Sequence, residues 1–298
     1  VRRQGGYGSR AGSLLSSAPM NRTLYTLLFH LSLPLVFLRL LWRAWRAPAY
    51  SRRIGERFAF GLPPLRPGGI WVHAVSVGES IAAAPMIREL MAHYPHLPIT
   101  VTCMTPTGSE RIQALFGDSV QHCYLPYDLP WAAARFLERA RPKLAVVMET
   151  ELWPNHIHQC ARRGIPVALA NARLSARSAR GYARFARLTA PMLAKLSLIA
   201  VQTETEAERF RQLGARDECV EVTGSIKFGA RITIIDEDTE DEHHYQIVGE
   251  AEADIERGLL NIRSPLARAL IGKNEGDSVE VRTPGGERNY EVVSIKYE

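Results

Sequence analysis

Between residues 69 and 171 short apolar segments alternate with amphipathic ones, and this alternation restricts the fold more than any other feature of the chain. Gly69 to Val75 (GIWVHAV) reads as a strand and Ser80 to Tyr94 as a helix. The same grammar predicts strands over Ile99 to Thr102, His122 to Tyr124, Leu144 to Met148 and Val167 to Asn171, with helices over Gly108 to Phe116, Pro130 to Ala140 and Trp153 to Arg163. Strands that are short and apolar on both faces, each followed by a helix, predict a parallel sheet covered on both sides, an α/β Rossmann-like domain. Such sheets bind ligands beyond the carboxyl ends of their strands. Glu79, Thr105 to Gly108, Glu149 and the run Asn171-Ala172-Arg173 stand at those ends.

After Gly229 the pattern changes. Arg231 to Asp236, His244 to Val248, Gly258 to Ile262, Ser278 to Arg282 and Asn289 to Lys296 read as strands, separated by turn residues that include Pro284-Gly285-Gly286. Ser264 to Ile271 reads as one short helix, so the segment predicts a small antiparallel sheet with a helix on it. Charge divides at the same place. Residues 229–298 hold 8 Lys+Arg and 16 Asp+Glu, a balance of −8, whereas residues 1–228 hold 29 and 15, a balance of +14. The basic part suits phosphate, on nucleic acid or on an anionic membrane, and the acidic part suits a basic partner. The acidic run from Asp236 to Glu242 reads as a solvated hairpin turn, because it lacks the glycine and ligand spacing of a calcium loop.

The N-terminus has its own logic. Residues 1–19 are rich in Gly, Ser and Arg without an apolar run, which predicts a disordered leader or sequence upstream of a start at Met20. Leu24 to Leu38 is apolar but interrupted by His30, Ser32 and Pro34, and six arginines follow by Arg57. That run is shorter than the roughly 20 residues a crossing helix needs, so a helix lying at the membrane interface is expected over about 20–47, with Trp42 and Trp45 at headgroup depth. An ordinary core helix is the alternative. Four cysteines without a CxxC pair point to reduced thiols in a cytosolic compartment.

Several of these segments, taken in order, resemble Kdo transferase, the bacterial enzyme that adds 3-deoxy-D-manno-octulosonic acid (Kdo) to the lipid A precursor. The carriers are APAY from Ala47, GERF from Gly55, HAVSVGE from His73, TCMTPTGSER from Thr102, YLPYDLP from Tyr124, METELWPN from Met148, NARLSARS from Asn171 and TGSIKF from Thr223. The resemblance implies the N-terminal, acceptor-side half of a GT-B glycosyltransferase over residues 48–227. It implies Glu79 as general base, with Gly78 allowing a tight turn before it, and Glu149 and Lys227 as transition-state stabilisers. Arg173 and Ser109 are candidates for acceptor binding, as are the arginines of Gly181 to Arg187, although solvated helix charge explains the latter equally. The implied partners are a lipid A precursor, a CMP-Kdo donor and the anionic inner membrane, with the domain on its cytoplasmic face. Neither a metal nor another cofactor is implied.

Where a second Rossmann-like, donor-binding domain would follow, the sequence instead resembles the C-terminal domain of the Gre transcript-cleavage factors. The carriers are FGA from Phe228, YQIVGEAEAD from Tyr245, SPLARALIG from Ser264, Gly276-Asp277 and TPGGERNY from Thr283. This implies a small FKBP-like domain over 228–298 that binds RNA polymerase, in the cytoplasm, without direct nucleic-acid contact and without the coiled coil that promotes cleavage. The expectation is therefore a chimera whose transferase part, truncated before the donor domain, is inactive or nearly so by itself.

Overall fold

The computed structural model describes residues 20–224, 230–237, 239–248, 253–261, 264–270, 273, 275–283 and 286–297. The expected leader and the junction at 225–229, Lys227 included, lie outside the described residues.

A helix of 25 residues, α1 (Arg22–Arg46), opens the described chain, capped by Asn21, whose side chain accepts from the Leu24 amide at 2.9 Å. It runs on through Arg39 and Arg43, past the end of the apolar stretch, and is long and apolar enough to cross a membrane. Its packing is lateral instead. Phe29 and Leu33 lie against the domain's main core and Leu40 is buried, while Leu31, Leu35, Leu38, Trp42 and Trp45 on the opposite side are exposed.

The α/β alternation is present as expected: β1 (Ile70–His73), α2 (Val77–His93), β2 (Ile99–Cys103), α3 (Pro106–Phe116), β3 (Gln121–Tyr124), α4 (Pro130–Ala140), β4 (Leu144–Met148), α5 (Pro154–Arg162) and β5 (Val167–Ala172). It continues with α6 (Ala176–Ala183), α7 (Ala186–Leu193), β6 (Leu198–Val201), α8 (Glu204–Gln212) and β7 (Val220–Val222). The strands are parallel throughout, in the order β3-β2-β1-β4-β5-β6-β7. Alternate residues serve opposite faces, as strand geometry requires: Trp71, Ala145 and Val147 enter one core, Ile70, Val72, Val146 and Met148 the other. Both faces are thus dry. This is why the strands read as unbroken apolar runs.

The helix starts follow local chemistry. Pro106, Pro130 and Pro154 occupy the first turns of α3, α4 and α5, where a missing N–H costs nothing. Ser76, Thr105 and Thr203 cap α2, α3 and α8 by accepting an amide proton three residues on.

The second sheet comprises β8 (Ala230–Asp236), β9 (Glu242–Val248), β10 (Leu259–Asn261), β11 (Ser278–Thr283) and β12 (Gly286–Tyr297), in the order β10-β9-β8-β12-β11. One short helix, α9 (Pro265–Leu270), adds Ala267 and Leu270 to a core with Ile232, Ile234, Val279, Val281 and Val292. The described residues of the acidic run close the β8–β9 hairpin, the Glu240 amide donating to Asp236 O at 2.8 Å. The expectation of an antiparallel sheet needs one correction: β9 and β10 pair in parallel. β9 ends at Val248 and β10 starts at Leu259, a separation longer than a tight antiparallel hairpin uses.

Candidate active site

Strand order decides where chemistry can happen. From β1 the chain steps outward to β2 and β3, and from β4 it steps the other way to β5, β6 and β7, so the connections after β1 and β4 diverge and leave a crevice between them. Glu79 follows β1; Glu149 and Glu151 follow β4. The fold thereby brings three carboxylates from two separate segments to its topological switch point.

Glu79 lies inside the first turn of α2, because that helix starts at Val77, three residues before the point its apolar face suggests. Ser76 is the N-cap. Its backbone is extended (φ −119°, ψ 173°), its Oγ accepts from the Glu79 amide at 3.4 Å and donates to Glu79 Oε1 at 2.9 Å, a reciprocal capping box. The Val75 amide donates to the other carboxylate oxygen, Oε2, at 2.9 Å. Gly78 corrects the expectation of a tight turn there: it has no positive φ, and a Cβ on it would meet nothing. Closeness does restrict Gly108, at the start of α3, where a Cβ would stand 2.8 Å from Thr105 Oγ1 and 3.5 Å from the Val75 carbonyl.

Glu149 sits just beyond β4 in the left-handed region (φ 54°), a conformation that costs a side-chain-bearing residue about 1 kcal/mol or more, and its amide donates to Ala170 O at 2.8 Å. Thr150 then bridges to β5, its hydroxyl donating to the Arg173 carbonyl and accepting the Arg173 amide at 3.3 Å. The exposed Arg173 is thus tied to the carboxylate loop through its backbone. Ser109 is committed elsewhere. Its hydroxyl accepts from Arg53 at 3.0 Å and contacts His122 Nε2 at 2.7 Å, in a cluster where Arg53 also makes a two-pronged ion pair with Glu56.

The three carboxylates feel one another. Burial raises Glu79 above its ordinary pKa, the bonds from Val75 and Ser76 pull it down, and the charge of Glu149 pushes it up again. Burial, then Glu79 and Glu149, push Glu151 up to about 7. Glu151, present in the METELWPN segment without an assigned role, is therefore a member of this carboxylate group; its signal is its position two residues after Glu149 at a strand end. Beneath it, His73 is fully buried with Nδ1 2.9 Å from Thr102 Oγ1, and desolvation followed by the neighbouring His156 lowers its pKa to about 3, so it is neutral. Asp128 anchors this floor: it accepts from the amides of Asn155 (3.0 Å) and His156 (2.9 Å) and pairs with His156 Nδ1 at 2.7 Å.

Among the described residues no group of three or more His, Cys, Asp and Glu side chains is arranged to hold a metal ion. What the crevice offers is proton transfer to a carboxylate whose basicity is raised and whose orientation is fixed.

Residues 52–230 match the family model described as 3-deoxy-D-manno-octulosonic-acid transferase (kdotransferase). The chain belongs to the Kdo transferase family. It is 48% identical over 213 residues to the 3-deoxy-D-manno-octulosonic acid transferase of Haemophilus influenzae, covering 70% of this chain and 49% of that protein. It is 37% identical over 222 residues to the enzyme of Bordetella pertussis, covering 70% and 50%. Residues 221–297 match a second model, the C-terminal domain of transcription elongation factors GreA and GreB. The chain is also 66% identical over 92 residues to transcription elongation factor GreA of Cereibacter sphaeroides, covering 31% of this chain and 61% of the factor. This Kdo transferase-family chain thus spans about half the length of the transferases it matches, and the two family matches meet between residues 221 and 230.

Proposed function

We propose that residues 20–227 form the acceptor half of a Kdo transferase, which presents a hydroxyl of a lipid A precursor to the anomeric carbon of Kdo carried by CMP-Kdo. Glu79 is the general base. It takes the hydroxyl proton as the sugar oxygen attacks, the bond from the anomeric carbon to the CMP phosphate breaks, and CMP leaves. The observation that carries this reading is the setting of Glu79 at the switch point: two donors, Val75 N–H and Ser76 Oγ, fix its carboxylate, and burial raises its basicity. Glu149 lies near enough to act on it electrostatically, and with Lys227, outside the described residues, it is assigned to stabilising the transition state. Arg173 and Ser109 are assigned to the acceptor, Arg173 with the better support because its backbone is tied to the carboxylate loop.

The lateral packing of α1, with an exposed apolar stripe from Leu27 to Trp45, favours a helix lying in the cytoplasmic leaflet of the inner membrane over one crossing it. The test joins residues 20–224 to the donor half of the Haemophilus influenzae relative and measures Kdo transfer. Glu79→Gln in that hybrid should lower turnover by about 10²-fold or more while acceptor binding persists. Transfer undiminished by the substitution would remove Glu79 from the mechanism.

A second reading applies to residues 228–298, on the strength of the match to GreA: this domain docks on RNA polymerase. Capture of purified RNA polymerase by the full chain tests it, with competition by intact GreA as the expected behaviour.

A further inference from the structure

Among the described residues Arg57 is the only buried arginine, at 2% exposure. A cation taken out of water normally finds a carboxylate, because leaving it unpaired is costly. The neighbouring carboxylate, Glu56, is taken up instead by its two-pronged pair with Arg53. The Arg57 guanidinium carbon lies 4.2 Å from the centroid of the Tyr124 ring, and Nη1 donates to the Met104 carbonyl at 2.9 Å. Nε and Nη2 find no hydrogen-bond partner among the described residues. The segment that carries this side chain is held against its local preference. The 3₁₀ turn Ile54–Phe58 is flanked by Arg53 (φ 59°) and Ala59 (φ 53°), both left-handed, and a Cβ on Gly55 would stand 2.5 Å from the Phe60 carbonyl oxygen. Such strain persists only where surrounding contacts over-determine the conformation.

What Arg57 holds is the chain just past the end of β2. Met104 follows the last β2 residue, Cys103, and its amide donates to the Val75 carbonyl at 3.2 Å, a rung between two segments that have already left their strands. The Val75 amide in turn donates to Glu79 Oε2 at 2.9 Å. We infer that Arg57 is a positioning residue for Glu79: by fixing the Met104 carbonyl it fixes Val75, and with it one of the two donors that aim the carboxylate. The inference rests on the reading of Glu79 as the base. A charged donor anchors a carbonyl more firmly than a neutral one does, which gives a reason for burying an arginine here.

The test follows backbone amides of the full chain by NMR, with matching far-UV circular dichroism as the check on folding. An amide proton bonded to a carboxylate shifts as that carboxylate ionises, so the native Val75 amide should show a pH step that Glu79→Gln abolishes. Glu149 and Glu151 are the other carboxylates coupled to Glu79, and the same variant separates their contribution. Arg57→Met, which lacks a donor, should cut the step by about half or more and speed hydrogen exchange of the Met104 amide about tenfold or more, the scale of one charge-assisted hydrogen bond. Arg57→Lys, which keeps a charged donor, should restore most of both. A step and an exchange rate unchanged in the methionine variant overturn the inference. So does a folded lysine variant whose step is lost, because loss of packing rather than of the bond would then explain the change. A native Val75 amide that shows no step for Glu79 would instead reject the carboxylate setting on which the base reading stands, a result distinct from a step that is present and indifferent to Arg57.

Discussion

Ser76 and Glu79 hold each other at the start of α2, the serine hydroxyl lying 2.9 Å from one carboxylate oxygen and 3.4 Å from the glutamate amide. One pair of side chains thus caps a helix and orients the proposed base. Ser76→Ala should cost about 1 kcal/mol of stability, a fall of roughly 2–4 °C in melting temperature for a domain of this size, measurable by differential scanning calorimetry. In the hybrid enzyme it should also reduce turnover more than acceptor affinity, since the carboxylate keeps its charge but loses its aim.

Glu151 makes stability depend on pH. Its carboxyl is raised from 4.5 to about 7, so between those values the folded chain binds more protons than the unfolded one and stability falls as pH rises. The loss amounts to roughly 1–2 kcal/mol once solvent screening of a partly exposed carboxylate is allowed for. Glu151→Gln, neutral at every pH, should leave the melting temperature at pH 5 nearly unchanged and raise it at pH 8. Equal effects at both values would mean that the Glu151 carboxyl is not raised in the folded chain.

Asp128 is a structural keystone. It is fully buried and serves the amides of Asn155 and His156 and the His156 ring, while Asn155 in turn accepts from Arg22 (3.2 Å) and Thr26 (3.1 Å) on α1. Removing a buried carboxylate that satisfies several donors leaves them unpaired, so Asp128→Ala should destabilise the domain by about 3 kcal/mol or more. Protease protection of residues 22–46 should fall with it, readable by limited proteolysis and mass spectrometry.

The exposed face of α1 should bind bilayers. Leu31 and Leu35 are 68% and 69% exposed, and Trp42 and Trp45 share their side of the helix. Anionic vesicles should shift the tryptophan emission to the blue, and Leu31→Glu/Leu35→Glu should weaken partitioning by more than about tenfold, given about 1.5–3 kcal/mol for each leucine buried. Unaltered partitioning of that variant would count against the interfacial placement.

Much of this molecule is legible before folding. The order and type of elements from β1 to β5 follow from runs such as LAVVM at Leu144 and the prolines that open the next helices, because apolar periodicity and helix-start chemistry are local. Glu79 and Glu149 are legible for the same reason: each follows a strand, and each lies in a motif shared with a family. The exact start of α2 was less legible, because it depends on whether Ser76 uses its hydroxyl as a cap rather than on hydrophobic pattern.

By itself the sequence determined the two-part division of the chain, the α/β character of the first part, the β-rich character of the second and the family of each, since these depend on residue order and local periodicity. Tertiary structure alone decided which strand ends face each other. Two strands can pair in either neighbour order with the same local pattern, and only the observed β3-β2-β1-β4-β5 arrangement places the segment after β1 across a crevice from the segment after β4. That adjacency recruits Glu151 and changes the proton affinities of Glu79 and Glu151. Electrostatic coupling falls with distance through space and takes no account of separation along the chain, so those properties exist only once the sheet has formed.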